Sequence, residues 1–158
     1  MFEDPKLWAT LFGVAVGAGL GFALSEVKDW LARRRRRKAH WLALSAETEL
    51  CRELAEEFLR ANVMAPLYRL PTLSYSHSFP VLLADGAPTS AEARAVTQFF
   101  NEVETLNRGL DQANEARNDD ARLREEFARN RLKAERLVCS VSYYTRLRTL
   151  LDLRAGRT

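Results

Sequence analysis

The sequence predicts an all-α protein, in which a single N-terminal transmembrane helix precedes a small cytoplasmic bundle of about three helices built on a long antiparallel hairpin. Three observations support this fold class. Residues Leu7 to Leu24 form an uncharged, mostly apolar run, and six consecutive cations follow it. Beyond the cations, apolar residues recur at steps of three and four, which is the period of helices that bury one face.

The first element is the apolar run, which is long enough to cross a bilayer. Its 18 residues rise about 1.5 Å each and cover about 27 Å, close to the roughly 30 Å hydrocarbon core. Glu3 and Asp4 precede the run, where a signal peptide carries cations. An uncleaved anchor is therefore favoured over a cleaved signal peptide. We predict a short extracytoplasmic tail at residues 1–6 and a transmembrane helix at residues 7–27.

A basic juxtamembrane segment at residues 28–40 sets the predicted orientation. It contains six consecutive cations: Arg33, Arg34, Arg35, Arg36, Arg37 and Lys38. Cations beside a span remain on the cytoplasmic side, which places the N-terminus outside and the domain in the cytoplasm. Arginine far outnumbers lysine in the chain, which favours a bacterial source and hence the bacterial inner membrane. The same cations can also attract anionic lipid headgroups.

Three glycines inside the run share one face of the predicted helix. Gly13, Gly17 and Gly21 recur every four residues, and a face without side chains lets a second helix approach closely in a membrane. Glycine is also common in membrane helices in general, so the spacing alone does not require a partner. We expect this face to support self-association or packing against another membrane protein.

The net charge of +3 hides a strong segregation along the chain. Residues 28–38 carry seven cations against Asp29, whereas residues 39–158 carry 16 cations against 17 acids. Within this nearly neutral part, residues 121–158 hold ten cations against four acids. A basic helix packed beside acidic helices is the favoured explanation. The alternative is an exposed basic surface for nucleic acid or anionic lipid.

The helical domain is predicted at residues 41–154 and begins with a helix from Trp41 to Met64, which the sequence allows to be continuous with the span. Pro66 ends this helix, because proline lacks the backbone N–H of a helix interior. A proline-rich connection at residues 66–88 follows. It is too apolar for a free linker, so we expect one or two short helical turns packed against the core.

The second helix of the domain carries the clearest signals. Thr89 is followed three residues later by Glu92, a capping-box pattern directly after Pro88. Apolar residues then follow the spacing of a heptad seam, which we predict to be an interaction surface: Val96, Phe99, Val103, Leu106 and Leu110.

A third helix is predicted from Asp120 to Leu153, again with apolar residues at steps of three and four. Asn130 and Arg148 interrupt this spacing. Polar residues at such positions either fix the register of a helix pair or mark exposed sites, and both explanations remain open at this point.

The sequence carries no motif for catalysis, a metal or a cofactor. Cys51 and Cys139 lie inside helical patterns, and His40 and His77 are isolated, so we predict no catalytic, metal-ligating or cofactor-binding residue. Both thiols are expected to be free in a reducing cytoplasm. One group in the connection approaches a polar pocket: Tyr68, Arg69, Tyr75 and His77. A packed loop is favoured there, and no small-molecule substrate is expected.

These features favour a membrane-anchored adaptor or assembly protein that presents a helical domain to the cytoplasm, without catalysis. The expected partners are the lipid bilayer and a second copy or another membrane protein. The first alternative is a membrane-perturbing effector of the toxin or anti-phage type, whose span oligomerises through its glycine face. A membrane tether for nucleic acid is the less favoured second alternative, because the strongest cation cluster lies against the headgroups.

Overall fold

The computed structural model describes residues 5–139 and 141–156, with side chains for residues 13–14, 16–138 and 147–156. Five helices and no strands lie within these residues: α1 (Pro5–Ala61), α2 (Leu73–Ala84), α3 (Ser90–Glu115), α4 (Asp120–Cys139) and α5 (Val141–Ala155). The predicted all-α class is therefore confirmed. The chain divides into two compact units, unit 1 at Met1–Arg36 and unit 2 at Arg37–Thr158.

Unit 1 consists, over its described residues, of the N-terminal part of α1. Every described side chain from Gly13 to Arg36 is exposed. Within the described residues, no helix contains a stretch both long and apolar enough to pass through a membrane. The transmembrane prediction is therefore unsupported. The predicted tail at residues 1–6 and part of the predicted span at residues 7–27 lie outside the residues whose side chains are described.

The end of α1 lies at Ala61, three residues before the predicted end at Met64. The next residue, Asn62, has a φ of +53°, which is the left-handed conformation that commonly ends helices. Asparagine tolerates this conformation better than most residues with a side chain. The local geometry of Asn62 therefore ends α1 ahead of Pro66.

The proline-rich connection contains a complete helix, which corrects the prediction of one or two turns. The 12 residues of α2 lie antiparallel to α1, since Arg37 contacts Asp85 near the end of α2 and Glu47 contacts Ser74 at its start. Pro80 lies inside the helix. The serine- and proline-containing sequence of α2 has a low intrinsic helix propensity, so packing against α1 supplies the stabilisation that propensity lacks.

The start of α3 confirms the predicted capping box. The Thr89 amide donates to Glu92 Oε2 at 2.6 Å, and the Glu92 amide donates to Thr89 Oγ1 at 3.3 Å. A short turn then joins α3 to α4, where Asp119 Oδ1 accepts a hydrogen bond from the Arg122 amide at 3.1 Å. Together α3 and α4 form the predicted antiparallel hairpin.

The predicted third helix corresponds to two helices, α4 and α5, so the described residues form five helices in place of three. Ser140, between them, lies outside the described residues. The two helices make different contacts. In α4, Asn130 packs against Gly109 of α3, whereas in α5 Asp152 Oδ1 accepts a hydrogen bond from Ser45 of α1 at 3.0 Å. One apolar spacing in the sequence thus serves two different interfaces.

All five helices contribute to the core of unit 2. Aromatic side chains link two of its interfaces: Phe58 of α1 meets Phe127 of α4 edge-on at 5.7 Å, and Tyr75 of α2 stacks on Phe100 of α3 at 4.4 Å. The largest fully buried apolar side chains surround these contacts: Leu44, Leu82, Leu106, Leu110, Leu147 and Leu151. The confirmed helical bundle is therefore held by a single continuous apolar cluster.

Candidate interaction surfaces

The predicted helix-packing face of unit 1 is open. A Cβ atom placed on Gly13, Gly17 or Gly21 would meet nothing within 4 Å. Large apolar side chains beside these glycines, including Leu20 and Leu24, are exposed. A smooth strip flanked by large apolar side chains has a shape that a second helix can cover.

The first four arginines of the cation cluster, residues 33–36, belong to unit 1 and are exposed. The Arg34 guanidinium lies 5.4 Å from the centroid of the Trp30 ring, which is within the range of a cation–π contact. The indole therefore covers part of the cation cluster, although Trp30 itself remains about half exposed.

The last two cations of the cluster belong to unit 2 and contact the folded domain. Arg37 Nε donates to Asp85 Oδ2 at 3.1 Å, and its Nη2 donates to the Asp85 carbonyl oxygen at 3.1 Å. Lys38 is exposed, and its side chain passes Gly156 closely enough that a Cβ there would lie 3.0 Å from Nζ. Arg37 therefore binds the C-terminal end of α2. This structural contact is separate from the role at the lipid headgroups that the sequence predicts.

The predicted interaction seam of α3 lies inside unit 2. Its five residues are at most 2% exposed: Val96, Phe99, Val103, Leu106 and Leu110. Phe100, next to the seam, packs at right angles to Phe99 with their ring centroids 5.3 Å apart. The seam therefore packs the domain itself.

Two arginines of α5, Arg148 and Arg154, pair with acidic side chains. Arg154 Nε and Nη2 each donate to the Glu92 carboxylate at 2.9 Å, and Arg148 Nε lies 3.6 Å from both Glu49 and Asp152. Partial burial raises the pKa of Glu92, but hydrogen bonds from the Thr89 amide and from Arg154 outweigh it, so that this pKa is lowered overall. Basic and acidic helices thus neutralise each other at α5.

The arginines of α4 behave differently and lie along the exposed side of this helix, which we call the α4 basic face. Four of them are exposed and form no ion pair with any acidic side chain in the described part of the chain: Arg122, Arg124, Arg131 and Arg136. Only Arg129 pairs locally, with Glu125 and Glu126. Leu132 lies exposed among these arginines. The α4 basic face therefore remains available to an anionic partner.

An irregular segment, residues 62–72, joins α1 to α2 and is held by side chains of α3. Asn107 Oδ1 accepts from the Leu70 amide at 2.8 Å, and Asn107 Nδ2 donates to the Leu70 carbonyl at 2.9 Å. Asn114 Nδ2 donates to the Pro66 carbonyl at 2.9 Å. Amide side chains thus satisfy the backbone groups of a segment that has no regular hydrogen bonding of its own.

Sequence reasoning missed the polar row on α3 that holds this segment. The row consists of Asn107, Asp111 and Asn114 on α3 and is continued by Arg117 in the turn after it. Asp111 pairs with Arg69 at 2.7 Å, and Arg117 Nη2 donates to the Ala65 carbonyl at 3.4 Å. The signal in the sequence is the recurrence of Asn and Asp at steps of four and three beside the apolar seam, which places them on one helix face.

Glu47 of α1 caps the N-terminus of α2. Its Oε1 accepts from the Ser74 amide at 2.7 Å, and its Oε2 accepts from the Tyr75 amide at 2.8 Å. Thr72, at the cap position, makes no side-chain cap hydrogen bond. A buried carboxylate thus satisfies two of the amides that a helix start leaves unpaired, and its charge suits the helix dipole. No local sequence signal could reveal a cap 27 residues away.

The group Tyr68, Arg69, Tyr75 and His77 does not converge on one site among the described residues. Tyr68 Oη donates to the Leu54 carbonyl at 3.5 Å, and Tyr75 stacks on Phe79 with ring centroids 5.4 Å apart. Arg69 instead pairs with Asp111. These contacts are those of a packed loop, as the sequence favours.

An open groove of about 380 Å³ lies beside this loop. It is lined by Glu57, Ala61, Val63, Ala65, Pro66, Leu67, Tyr68 and Arg117. Burial, together with the negative charge of Glu57, raises the pKa of Tyr68, so its hydroxyl stays protonated at neutral pH. The groove thus offers an apolar floor with one acidic and one basic side chain in its lining.

The thiol of Cys51 is buried and donates to the Pro71 carbonyl oxygen at 3.2 Å. Burial, and then the negative charge of Glu47, raises the pKa of this thiol, which keeps it in the unreactive protonated form. Within the described residues, no three His, Cys, Asp or Glu side chains are placed to hold a metal ion. The side chain of Cys139 lies outside the described residues.

The chain matches no protein family, no curated protein and no solved structure. Arguments about function therefore depend on the residues and contacts described above.

Proposed function

We propose that this chain is a membrane-anchored adaptor or assembly protein of the bacterial inner membrane. The N-terminal apolar run holds it in the bilayer, the N-terminus lies outside, and unit 2 serves as an interaction domain in the cytoplasm. The anchor is proposed to associate with a second copy or with another membrane protein through its glycine face.

One observation carries the proposal: an exposed apolar helix is followed directly by exposed cations. Val14, Leu20, Phe22 and Leu24 are exposed on unit 1, and large exposed apolar surfaces mark sites of contact with membranes or proteins. The arginines at 33–36 are exposed just after them. Apolar surface followed by cations is the pattern of an anchor with a cytoplasmic flank.

The α4 basic face supports the adaptor role of unit 2. Its four arginines are exposed without acidic partners in the described part of the chain, while the α3 seam is buried. Arginine is enriched at protein interfaces because it contributes both charge and planar contact area. An acidic protein surface is accordingly the kind of cytoplasmic partner that we propose for this face.

Membrane fractionation tests the anchor. Two exposed leucines with nearly equal exposure provide a matched pair, Leu20 of unit 1 at 61% and Leu132 of α4 at 59%. We expect Leu20→Arg to move the protein from the alkali-resistant membrane fraction to the supernatant, because a charge in the hydrocarbon core is costly. Leu132→Arg should leave the distribution unchanged. Wild-type protein in the supernatant would contradict the anchor.

A second candidate function, a membrane-perturbing effector, draws on the open glycine face. Nothing lies within 4 Å of a Cβ placed on Gly17, so several copies could pack closely there. Overexpression should then depolarise the membrane, and Gly17→Leu should abolish the effect. Harmless overexpression of the wild-type protein would favour the adaptor.

The exposed arginines of the α4 basic face also favour a third candidate, a membrane tether for nucleic acid. Binding through phosphates weakens steeply with salt because counterions are released. A tether would therefore bind DNA or RNA at low salt and lose it on replacing Arg124 and Arg131 with Gln. No binding at low salt would remove this candidate.

A further inference from the structure

The two consecutive cations Arg37 and Lys38 contact the C-terminal ends of two different helices. Arg37 donates to the side chain and to the carbonyl oxygen of Asp85, which is the C-cap residue of α2. The Lys38 side chain lies against Gly156, which follows the last residue of α5. Neighbouring positions on a helix point about 100° apart, so two consecutive residues of α1 can contact two different helices.

The two helix ends share one backbone geometry. Gly86 after α2 and Gly156 after α5 have φ values of +59° and +70°, and they are the glycines with a positive φ in the described part of the chain. After α2, the Ala87 amide donates to the Leu82 carbonyl oxygen at 2.9 Å, as in a Schellman motif. After α5, the Gly156 amide donates to the Leu153 carbonyl oxygen at 3.2 Å. Such ends still leave carbonyl oxygens without a partner inside the helix.

A cation suits such an end, because the C-terminus of a helix carries about half a unit of negative charge. At α2, the Arg37 guanidinium pairs with the Asp85 carboxylate at 3.1 Å and donates to the Asp85 carbonyl oxygen at 3.1 Å. At α5, a Cβ atom on Gly156 would lie 3.0 Å from Lys38 Nζ, so the ammonium lies directly beside the helix end. Both cations are therefore placed as C-terminal caps.

The four arginines that precede them, residues 33–36, have no comparable contacts. All four are exposed, and none of them forms an ion pair in the described part of the chain. The Arg34 guanidinium lies over the Trp30 ring, which leaves its charge uncompensated. Exposed cations beside a membrane attract anionic lipids, by about fivefold in affinity for each cation. A cation paired with a carboxylate adds little to this attraction, because the pair has no net charge.

We infer that the cation run is divided in function between Arg36 and Arg37. Arg37 and Lys38 cap the C-terminal ends of α2 and α5, and residues 33–36 alone bind anionic headgroups. The predicted lipid-binding run is thus two residues shorter than the run of charge. The lipid half of this inference rests on the proposed function, whereas the capping half depends only on contacts within unit 2.

Two neighbouring substitutions that remove the same charge, Arg36→Gln and Arg37→Gln, test the division. Hydrogen exchange of the full-length chain is measured at the Gly86 and Ala87 amides, which report opening of the end of α2. We expect Arg37→Gln to accelerate this exchange by about two- to fivefold, which is the effect of losing one exposed ion pair or one helix-end charge. Arg36→Gln should leave it unchanged.

The cap of α5 is tested in the same way. We expect Lys38→Gln to accelerate exchange at the Gly156 amide by about two- to fivefold, and Arg36→Gln to have no effect there. Unchanged exchange at Gly156 in Lys38→Gln would overturn this cap, and unchanged exchange at Gly86 in Arg37→Gln would overturn the cap of α2.

Vesicle partitioning tests the lipid half. The full-length chain is mixed with vesicles of phosphatidylcholine alone or of phosphatidylcholine with about one third phosphatidylglycerol, and the ratio of the two partition coefficients gives the anionic preference. We expect Arg36→Gln to lower this preference by about fivefold, and Arg37→Gln to leave it unchanged. An equal loss in the two variants would overturn the division.

The wild-type chain in the same vesicles separates this inference from the proposed anchor. Binding to both kinds of vesicle without an anionic preference supports the anchor and overturns the lipid half. Binding to the anionic vesicles alone supports the lipid half and contradicts the anchor. Binding to neither kind overturns both, and the exchange measurements still decide the two caps.

Discussion

Replacing Glu47 with Gln tests whether α2 depends on a cap supplied by another helix. The carboxylate is 6% exposed and accepts one amide hydrogen bond at each oxygen, from Ser74 and Tyr75. Glutamine keeps the size of the side chain but offers only one acceptor, and its NH₂ group would face the other amide donor. Losing one charge-assisted hydrogen bond and leaving a buried amide unpaired costs about 2 kcal/mol.

The assay is urea unfolding of the purified full-length chain followed by circular dichroism. With an m value of about 2 kcal/mol per molar urea, a 2 kcal/mol loss shifts the midpoint by about 1 M. Glu53→Gln is the matched control, because Glu53 lies exposed on the same helix. Its midpoint should move little, since exposed substitutions usually change stability by about 0.5 kcal/mol or less.

Local measurements sharpen the test. Hydrogen exchange at the Ser74 and Tyr75 amides should accelerate in Glu47→Gln beyond the change at amides of α4, because opening of the first turn of α2 is local. Equal midpoint shifts for Glu47→Gln and Glu53→Gln, with unchanged exchange at these two amides, would refute the reasoning that the carboxylate caps α2.

Three further predictions follow from single contacts. A Cβ on Gly109 would lie 1.9 Å from Asn130 Oδ1, so Gly109→Ala should destabilise unit 2 by about 2 kcal/mol through overpacking. Asn130→Ala in the same chain should recover part of this loss, as measured by urea unfolding. Because the folded-state pKa of Glu92 is lowered, its pairing stabilises the fold above the usual value of 4.5 and loses that effect as pH falls through the folded-state pKa. Arg154→Met should flatten this acid dependence in thermal melts between about pH 6 and pH 3. The Cys51 thiol, whose pKa burial raises, should react with iodoacetamide at pH 7.5 only after denaturant is added.

Each of these predictions has a contrary result. A double variant at Gly109 and Asn130 whose loss equals the sum of the two single losses would show that the side chains do not clash. An unchanged acid profile in Arg154→Met would show that the ion pair does not set the lowered pKa of Glu92. Alkylation of native Cys51 at the rate of a small free thiol would show that the thiol is accessible.

Local chemistry made part of the fold predictable. The Thr89 and Glu92 capping box predicted the start of α3 because both of its partners lie within four residues of each other. The apolar spacing placed Val103 and Leu106 on one face of α3 for the same reason. Periodicity reports which face is apolar but not what covers it, so the seam was predicted as an interaction surface although the bundle itself buries it.

Features that depend on distant residues were not predictable. The division of the last predicted helix into α4 and α5 is marked in the sequence by neither Gly nor Pro. Glu47 resembled a solvated acid of an amphipathic helix, since its role depends on Ser74 and Tyr75 far along the chain. In the same way, the glycines of unit 1 are open, and the helix that their spacing predicts as a neighbour stays a prediction.

The polar row of α3 constrains how this protein can vary among relatives. Asn107 and Asn114 hold the backbone of Leu70 and Pro66 at fixed distances, so one added or deleted residue between these two points would break at least one clamp. Insertions and deletions should therefore concentrate in the turns around Gly86 and residues 116–119. The proline-rich segment, which looks like a place where chain length is free to drift, should instead keep a constant length.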